Sequence, residues 1–279
     1  MGENKYFKLH TRQKYDTSSL IVVWNQDVGK LGPRVSAYLA KELKARVLGE
    51  ISPEGFFSLS GVTVENDVAQ FPESRFYGGQ NKNLVIFKSD IPRSDWYGFI
   101  KLLLYVAEKT FKVKQILTIG GMVLPGAHTS PRTILSIVNS ASIKRALSSL
   151  DVVHDMDYET RDDQRPTFSS YLIWAAKNRN IPGTCLWAPI PFYLMTLEDP
   201  QACKKILELL NGYLGLRISY ARIDDEVTEQ NLKIARIRRE FPELDGYISK
   251  LESNQGLTAE EGEKLVKELD VLLRSSHQA

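Results

Sequence analysis

The sequence predicts an α/β protein: three layers with a mostly parallel sheet flanked by helices, followed by a C-terminal helical appendage. Short runs rich in β-branched and aromatic residues alternate with stretches of helical period, the pattern of strand–helix–strand units. The runs 20–24 and 84–87 are apolar almost without a break, as in strands buried on both faces. Beyond about Ser219 no convincing core strand occurs, and only amphipathic helical stripes remain. These observations set a core domain at 18–220 and an appendage at 221–279.

Residues 20–24 read as the first buried strand. Gly32 and Pro33 follow, and proline suits the first helical position because its missing N–H would have no partner there. Val35, Tyr38, Leu39 and Leu43 then share one helical face, and 45–51 reads as a second strand. Residues 56–60 and 75–77 read as short strands, with a turn at Gly78 and Gly79. After the strand 84–87, Ser94 or Asp95 caps a helix that turns Phe99, Ile100, Leu103, Val106 and Ala107 inward. The strand 115–119 is expected to end in a turn at Gly120 and Gly121. Residues 133–138 read as a strand, 141–150 as a helix, 151–165 as an acidic surface loop, and 168–177 as a packed helix. Residues 184–187 read as the last core strand. Asp199 caps a helix with Pro200 at its first position, and that helix buries Ile206, Leu209 and Leu210 and stops at Gly212. In the appendage, Val227, Ile234, Ile237 and Phe241 form one stripe and Leu244, Tyr247, Ile248 and Leu251 another. Thr258 with Glu261 fits a capping box before a last helix carrying Leu265, Leu269 and Leu272.

Composition excludes several classes of function. The net charge of +2 is too small for a strong field toward nucleic acid or an anionic membrane. No apolar run reaches the length of a membrane helix, and the first residues hold no apolar signal segment. The two cysteines, Cys185 and Cys203, suit a reducing compartment. The expected setting is therefore the cytoplasm, with no nucleic acid and no membrane as partner.

The best candidate ligand site is the glycine turn Gly120–Gly121 with His128, Thr129, Ser130 and Arg132 behind it. Ligands of open α/β sheets sit beyond the carboxyl ends of the strands, and glycines there let a ligand approach the backbone. These side chains could together hold a phosphate or carboxylate. The competing reading is a polar loop capped by its own hydroxyls. The pattern matches neither a Walker loop nor a dinucleotide fingerprint, so no cofactor is expected. The four histidines are scattered without metal-site spacing, and the acidic stretch Asp151, Asp155, Asp157, Asp162, Asp163 lacks the glycine and terminal glutamate of a calcium loop. Cys185 lies in an apolar strand with no base near it in sequence, so no catalytic residue is named. Trp187, Pro189, Pro191, Phe192 and Tyr193 form a large uncharged aromatic stretch that something must cover. Either the core or a partner subunit could do so.

The segment IPGTCLWAPIPFYL, at 181–194, and DPQACKKILELLNGYLGL, at 199–216, resemble the bacterial and archaeal branch of the proteasome-assembly-chaperone family. So do the GAHTSPR segment at 126–132 and the first strand followed by Gly29 and Gly32. The resemblance spans about 18–220. It implies an α/β fold similar to phosphorylases and peptidyl hydrolases, homo-oligomers with a trimer among the candidate forms, and binding to proteasome-like or other protein subunits. The family has also carried an ATP-grasp-like label, for which this sequence holds no matching motif. Proteasome-docking members often end in a hydrophobic-Tyr-x tail, whereas this sequence ends Ser276, His277, Gln278, Ala279. Docking through the C-terminus is therefore not expected. The function read from the sequence is a non-enzymatic interaction or assembly-chaperone-like role. The alternative is an enzyme acting on a small anionic or nucleoside-type substrate.

Overall fold

The computed structural model describes residues 5–11, 13–57, 63–65, 67–79, 83–154 and 166–275. Its strands are β1 (Phe7–Leu9), β2 (Ser18–Trp24), β3 (Arg46–Ile51), β4 (Thr63–Glu65), β5 (Val68–Gln70), β6 (Ser74–Gly78), β7 (Leu84–Ser89), β8 (Val113–Leu124), β9 (Ile134–Val138), β10 (Val152–Val153) and β11 (Gly183–Pro191). The helices are α1 (Leu31–Glu42), α2 (Trp96–Lys109), α3 (Ala141–Leu147), α4 (Phe168–Lys177), α5 (Pro200–Leu214), α6 (Ala221–Glu240), α7 (Pro242–Glu252) and α8 (Ala259–Ser275).

Among the described residues, nine strands join one sheet in the order β1-β3-β6-β7-β2-β8-β11-β9-β10, and β4 and β5 pair separately. Successive side chains of a strand point to opposite faces, so a strand covered on both sides must be apolar throughout. In β2, Leu20, Val22 and Trp24 enter one core with α2 and α4, while Ile21 and Val23 enter the other with α1 and α5. This accounts for the unbroken apolar run at 20–24.

The sheet is mixed, which corrects the expectation of a mostly parallel one. Its centre, β7-β2-β8-β11, is parallel, and so is the short edge pair β9-β10. The flanks turn: β6 opposes β7, β3 opposes β6, β1 opposes β3 and β9 opposes β11. Connection length is one reason. Residues 79–83 between β6 and β7 are too few for a crossover, so those neighbours can only be antiparallel. The β2–α1–β3 unit exists, but β7 and β6 stand between its two strands.

Several local expectations change. Phe56 and Phe57 lie in a turn closed on the Pro53 carbonyl, where Phe56 packs edge-on against Phe99; residues 58–60 of that expected strand lie outside the described residues. Gly78 closes β6 and does not turn. The helix after residue 140 ends at Leu147, and Val152 and Val153 pair with β9; residues 155–165, with Asp155, Asp157, Asp162 and Asp163, lie outside the description. Helix α5 runs through Gly212 to Leu214 and stops at Gly215, whose φ of 62° supplies the left-handed cap. Pro33 sits inside the first turn of α1, because a 3-10 turn at Val28–Lys30 already starts the helical path.

The last three helices fold back on the core. Helix α6 packs on α5, and α8 packs on the 3-10 turn Phe192–Leu194. Ile223, Ile234, Leu244, Ile248, Leu265 and Leu269 join the apolar cluster that α1 and α5 form with the sheet. The capping box of α8 is made: Thr258 N–H donates to Glu261 Oε2, and Glu261 N–H donates to Thr258 Oγ1. On the opposite face of the sheet, α2 and α4 cover the other core.

Candidate functional site

The site is built at the carboxyl ends of β2, β8 and β11. Chain leaving β2 reaches Asp27, whose side chain caps the 3-10 turn that leads into α1. Its Oδ1 accepts from Val28 N–H at 3.0 Å and from Gly121 N–H at 2.9 Å, and its Oδ2 accepts from Gly32 N–H at 2.7 Å. Burial pushes this carboxyl up to about 6, against the pull of those donors.

Gly120 and Gly121 do not form the expected turn. They lie inside β8, which pairs with β11 from Gly183↔Ile116 to Pro191↔Leu124, so the ladder carries the strand through them. What approaches these glycines is the chain's own backbone and side chains. A Cβ on Gly121 would stand 2.5 Å from the Val28 carbonyl oxygen, and one on Gly120 would stand 3.2 Å from Trp187 Cδ1.

The polar loop after β8 is tied inward. Arg132 is buried, and so is Asp199. Arg132 Nε and Nη2 donate to Asp199 Oδ2 at 3.2 and 3.0 Å, Nη1 donates to the carbonyls of Ser130 and Ala127, and Nη2 also donates to the carbonyl of His128. A guanidinium has five N–H donors, and these five contacts use them all. Asp199 Oδ1 meanwhile accepts from Ala202 N–H and caps α5. His128 Nδ1 lies 2.9 Å from the Tyr193 hydroxyl, and burial holds the imidazole down at about 4, so it is neutral at pH 7. Thr129 Oγ1 donates to Glu252 Oε1, and Glu252 in turn accepts from Arg238. The six expected ligand residues thus fall into two groups: the glycines around Asp27, and a loop clasped to α5, α6 and α7. An anion reaching this loop finds every N–H of Arg132 already hydrogen-bonded.

Sequence reasoning missed Asp27. The signal was present as an aspartate directly before Val28-Gly29-Lys30, a capping residue in front of a tight turn. Asp199 was legible as a cap, but its pairing with Arg132 was not.

Of the aromatic stretch, Pro189, Pro191 and Tyr193 are buried within this chain. Pairing of β11 with β9 stops at Trp187, so both prolines sit where only β8 borders the strand and a missing N–H is tolerated. Trp187 and Phe192 are half-buried, and α8 closes over Phe192. The exposed aromatic surface lies elsewhere. Tyr97 and Tyr105 on α2 are 67% and 45% exposed, and Trp174 on α4 is 53% exposed and stacked on Tyr171 at 5.6 Å.

Cys185 is buried in β11, and burial pushes its thiol up to about 12, well away from a nucleophile's range. Among the described residues, no three His, Cys, Asp or Glu side chains gather as metal ligands, and no helix is long and apolar enough to cross a membrane.

The model of the PAC2 family matches residues 24–238. The chain belongs to the PAC2 family. The match runs from the end of β2 into α6, so it takes in Asp27, both glycines, the clasped loop and α5. No curated protein matches the sequence. Among solved structures, this PAC2 chain is similar to the Mycobacterium tuberculosis protein of unknown function Rv2714, with a TM-score of 0.74 and 18% identity over 91% of this chain and 92% of that one. It is also similar to the M. tuberculosis proteasome-assembly chaperone homologue Rv2125, with a TM-score of 0.67 and 19% identity over 78% and 94%. A third is Pyrococcus furiosus PbaB, an archaeal proteasome activator, with a TM-score of 0.65 and 22% identity over 83% and 98%. At such identities the likeness is one of fold.

Proposed function

We propose that this PAC2 protein is a non-enzymatic, assembly-chaperone-like protein of the cytoplasm that binds protein subunits and itself. The family match over 24–238 carries the reading, together with fold relatives that include a proteasome-assembly chaperone homologue and a proteasome activator. In this reading 18–220 is the core domain, akin to phosphorylase and peptidyl hydrolase folds, and 221–279 is an appendage that seals one of its faces. The face that α6–α8 leave uncovered presents Tyr97, Tyr105 and Trp174. Aromatic side chains bury large area at small entropic cost, and for that reason interfaces are enriched in them.

The test is native mass spectrometry of the protein isolated at its natural abundance from its own cells. The expected result is a homo-oligomer, a trimer among its candidate forms, in complex with subunits of a proteasome-like or other multi-subunit assembly. A lone monomer at every concentration would defeat the reading. The variants Tyr97→Glu and Trp174→Glu should lose the complex while keeping the circular dichroism spectrum of the parent. If both retain it, α2 and α4 do not form the contact.

A further inference from the structure

The geometry points to Asp27 as a resident anion: its carboxylate occupies, from within the chain, an oxyanion cradle between the carboxyl ends of β2 and β8. Open α/β sheets hold their ligands at such positions, and the N–H donors here work against burial, so the crevice selects a group with two acceptor oxygens, which formamide and chloride lack, more than it selects charge. Here three N–H groups converge on one carboxylate, and they come from separate places: Val28 in the 3-10 turn, Gly32 in α1 and Gly121 in β8. Both carboxylate oxygens are engaged, as they would be in a bound formate or acetate.

The surrounding glycines are shaped to this occupant. A Cβ on Gly32 would come 3.2 Å from Asp27 Oδ2, and one on Gly120 would come 3.3 Å from Oδ1. Each contact is tighter than a carbon and a carboxylate oxygen accept without movement. The turn that carries Asp27 is pressed onto the strand as well, with the Val28 carbonyl against Gly121. The feature that suggested room for a ligand therefore makes room for Asp27. While that side chain is in place, a small carboxylate or phosphate meets donors that are already paired. The crevice becomes a binding site for small anions only when Asp27 is removed. This inference stands apart from the proposed assembly role, since neither depends on the other.

The test is chemical rescue. Asp27→Gly removes the carboxylate and leaves the donors. Its thermal unfolding is measured at pH 7.5 in sodium formate, sodium acetate, sodium chloride and formamide, the salts at equal ionic strength. The melting temperature should rise saturably with formate or acetate, by about 5 °C or more once the anion exceeds its dissociation constant a hundredfold. Chloride and the neutral formamide should not reproduce the rise. The native protein and Asp27→Asn, whose side chain still fills the crevice, should respond to formate no more than to chloride. If Asp27→Gly does not fold in chloride, the readout is the yield of folded protein on refolding, expected in formate and not in chloride or formamide. Equal responses of the Gly variant and the native protein overturn the inference. So does a formate response in Asp27→Asn, a rise in formamide equal to that in formate, or failure of the Gly variant to refold in every solution.

Discussion

Replacing Arg132 with alanine should cost about 3–5 kcal/mol of folding stability, the usual loss when one member of a buried ion pair is removed. The side chains of Arg132 and Asp199 are 3% and 0% exposed, so solvent can neither screen the pair nor take over its hydrogen bonds. The substitution strands Asp199 Oδ2 and the carbonyls of Ala127, His128 and Ser130 together. Against a typical total of about 5–15 kcal/mol this is a large share, and it corresponds to a fall of roughly 10 °C in melting temperature. Urea unfolding followed by fluorescence of the four tryptophans reads the change as a lower midpoint at unchanged slope. Arg132→Met combined with Asp199→Asn should recover about 1–2 kcal/mol relative to Arg132→Ala, because no buried charge is left unpaired and the asparagine oxygen can still cap α5. The outcome separates two roles for the arginine. A cation waiting for an anionic substrate stabilises the empty protein little. A loss below about 1 kcal/mol would therefore refute the clasp and return Arg132 to ligand binding.

Three further outcomes follow from the same geometry. Because the Asp27 carboxyl is raised to about 6 in the folded protein from 3.8, folding takes up a proton between those values. Its contribution is present in full below about 4 and is lost as pH rises through about 6, so native stability minus that of Asp27→Asn should grow by about 2–3 kcal/mol from pH 7 to pH 4 in urea titrations; a flat difference would show that the carboxyl is not raised. Gly121→Ala should cost about 1–3 kcal/mol by equilibrium unfolding, since its Cβ meets the Val28 carbonyl at 2.5 Å and both backbones are held in place. Cys185 should resist a thiol reagent such as 5,5′-dithiobis(2-nitrobenzoate) in the native protein and react only on unfolding, because burial raises its thiol to about 12 and closes access to it; labelling at the rate of a free thiol would contradict its burial.

Much of the secondary structure was legible. The run 20–24, the stripe on Phe168–Lys177, the Asp199–Pro200 start and the Thr258–Glu261 box each carry their signal within a few residues. Strand order was not legible. Nothing local near β3 says that β6 and β7 will come between it and β2. Glycine misled three times, at Gly78, at Gly120–Gly121 and at Gly212, where ladder pairing and helix packing overrode its tendency to punctuate. In the aromatic stretch at 187–193 the residue types told of apolar area but not of what would cover it; here α8 of the same chain closes over Phe192.

The sequence by itself determined an α/β core, the helical character of the three described elements beyond α5, and the family that the chain resembles. Each rests on periodicity, capping residues or short motifs, which are properties of neighbours along the chain. Only the tertiary structure decided what the polar residues do. Asp27 meets Gly121 across 94 positions and Arg132 meets Asp199 across 67, and hydrogen bonds at such separations leave no mark on local pattern. Whether a buried charge waits for a ligand or is already answered depends on which backbone groups surround it, and folding brings those together.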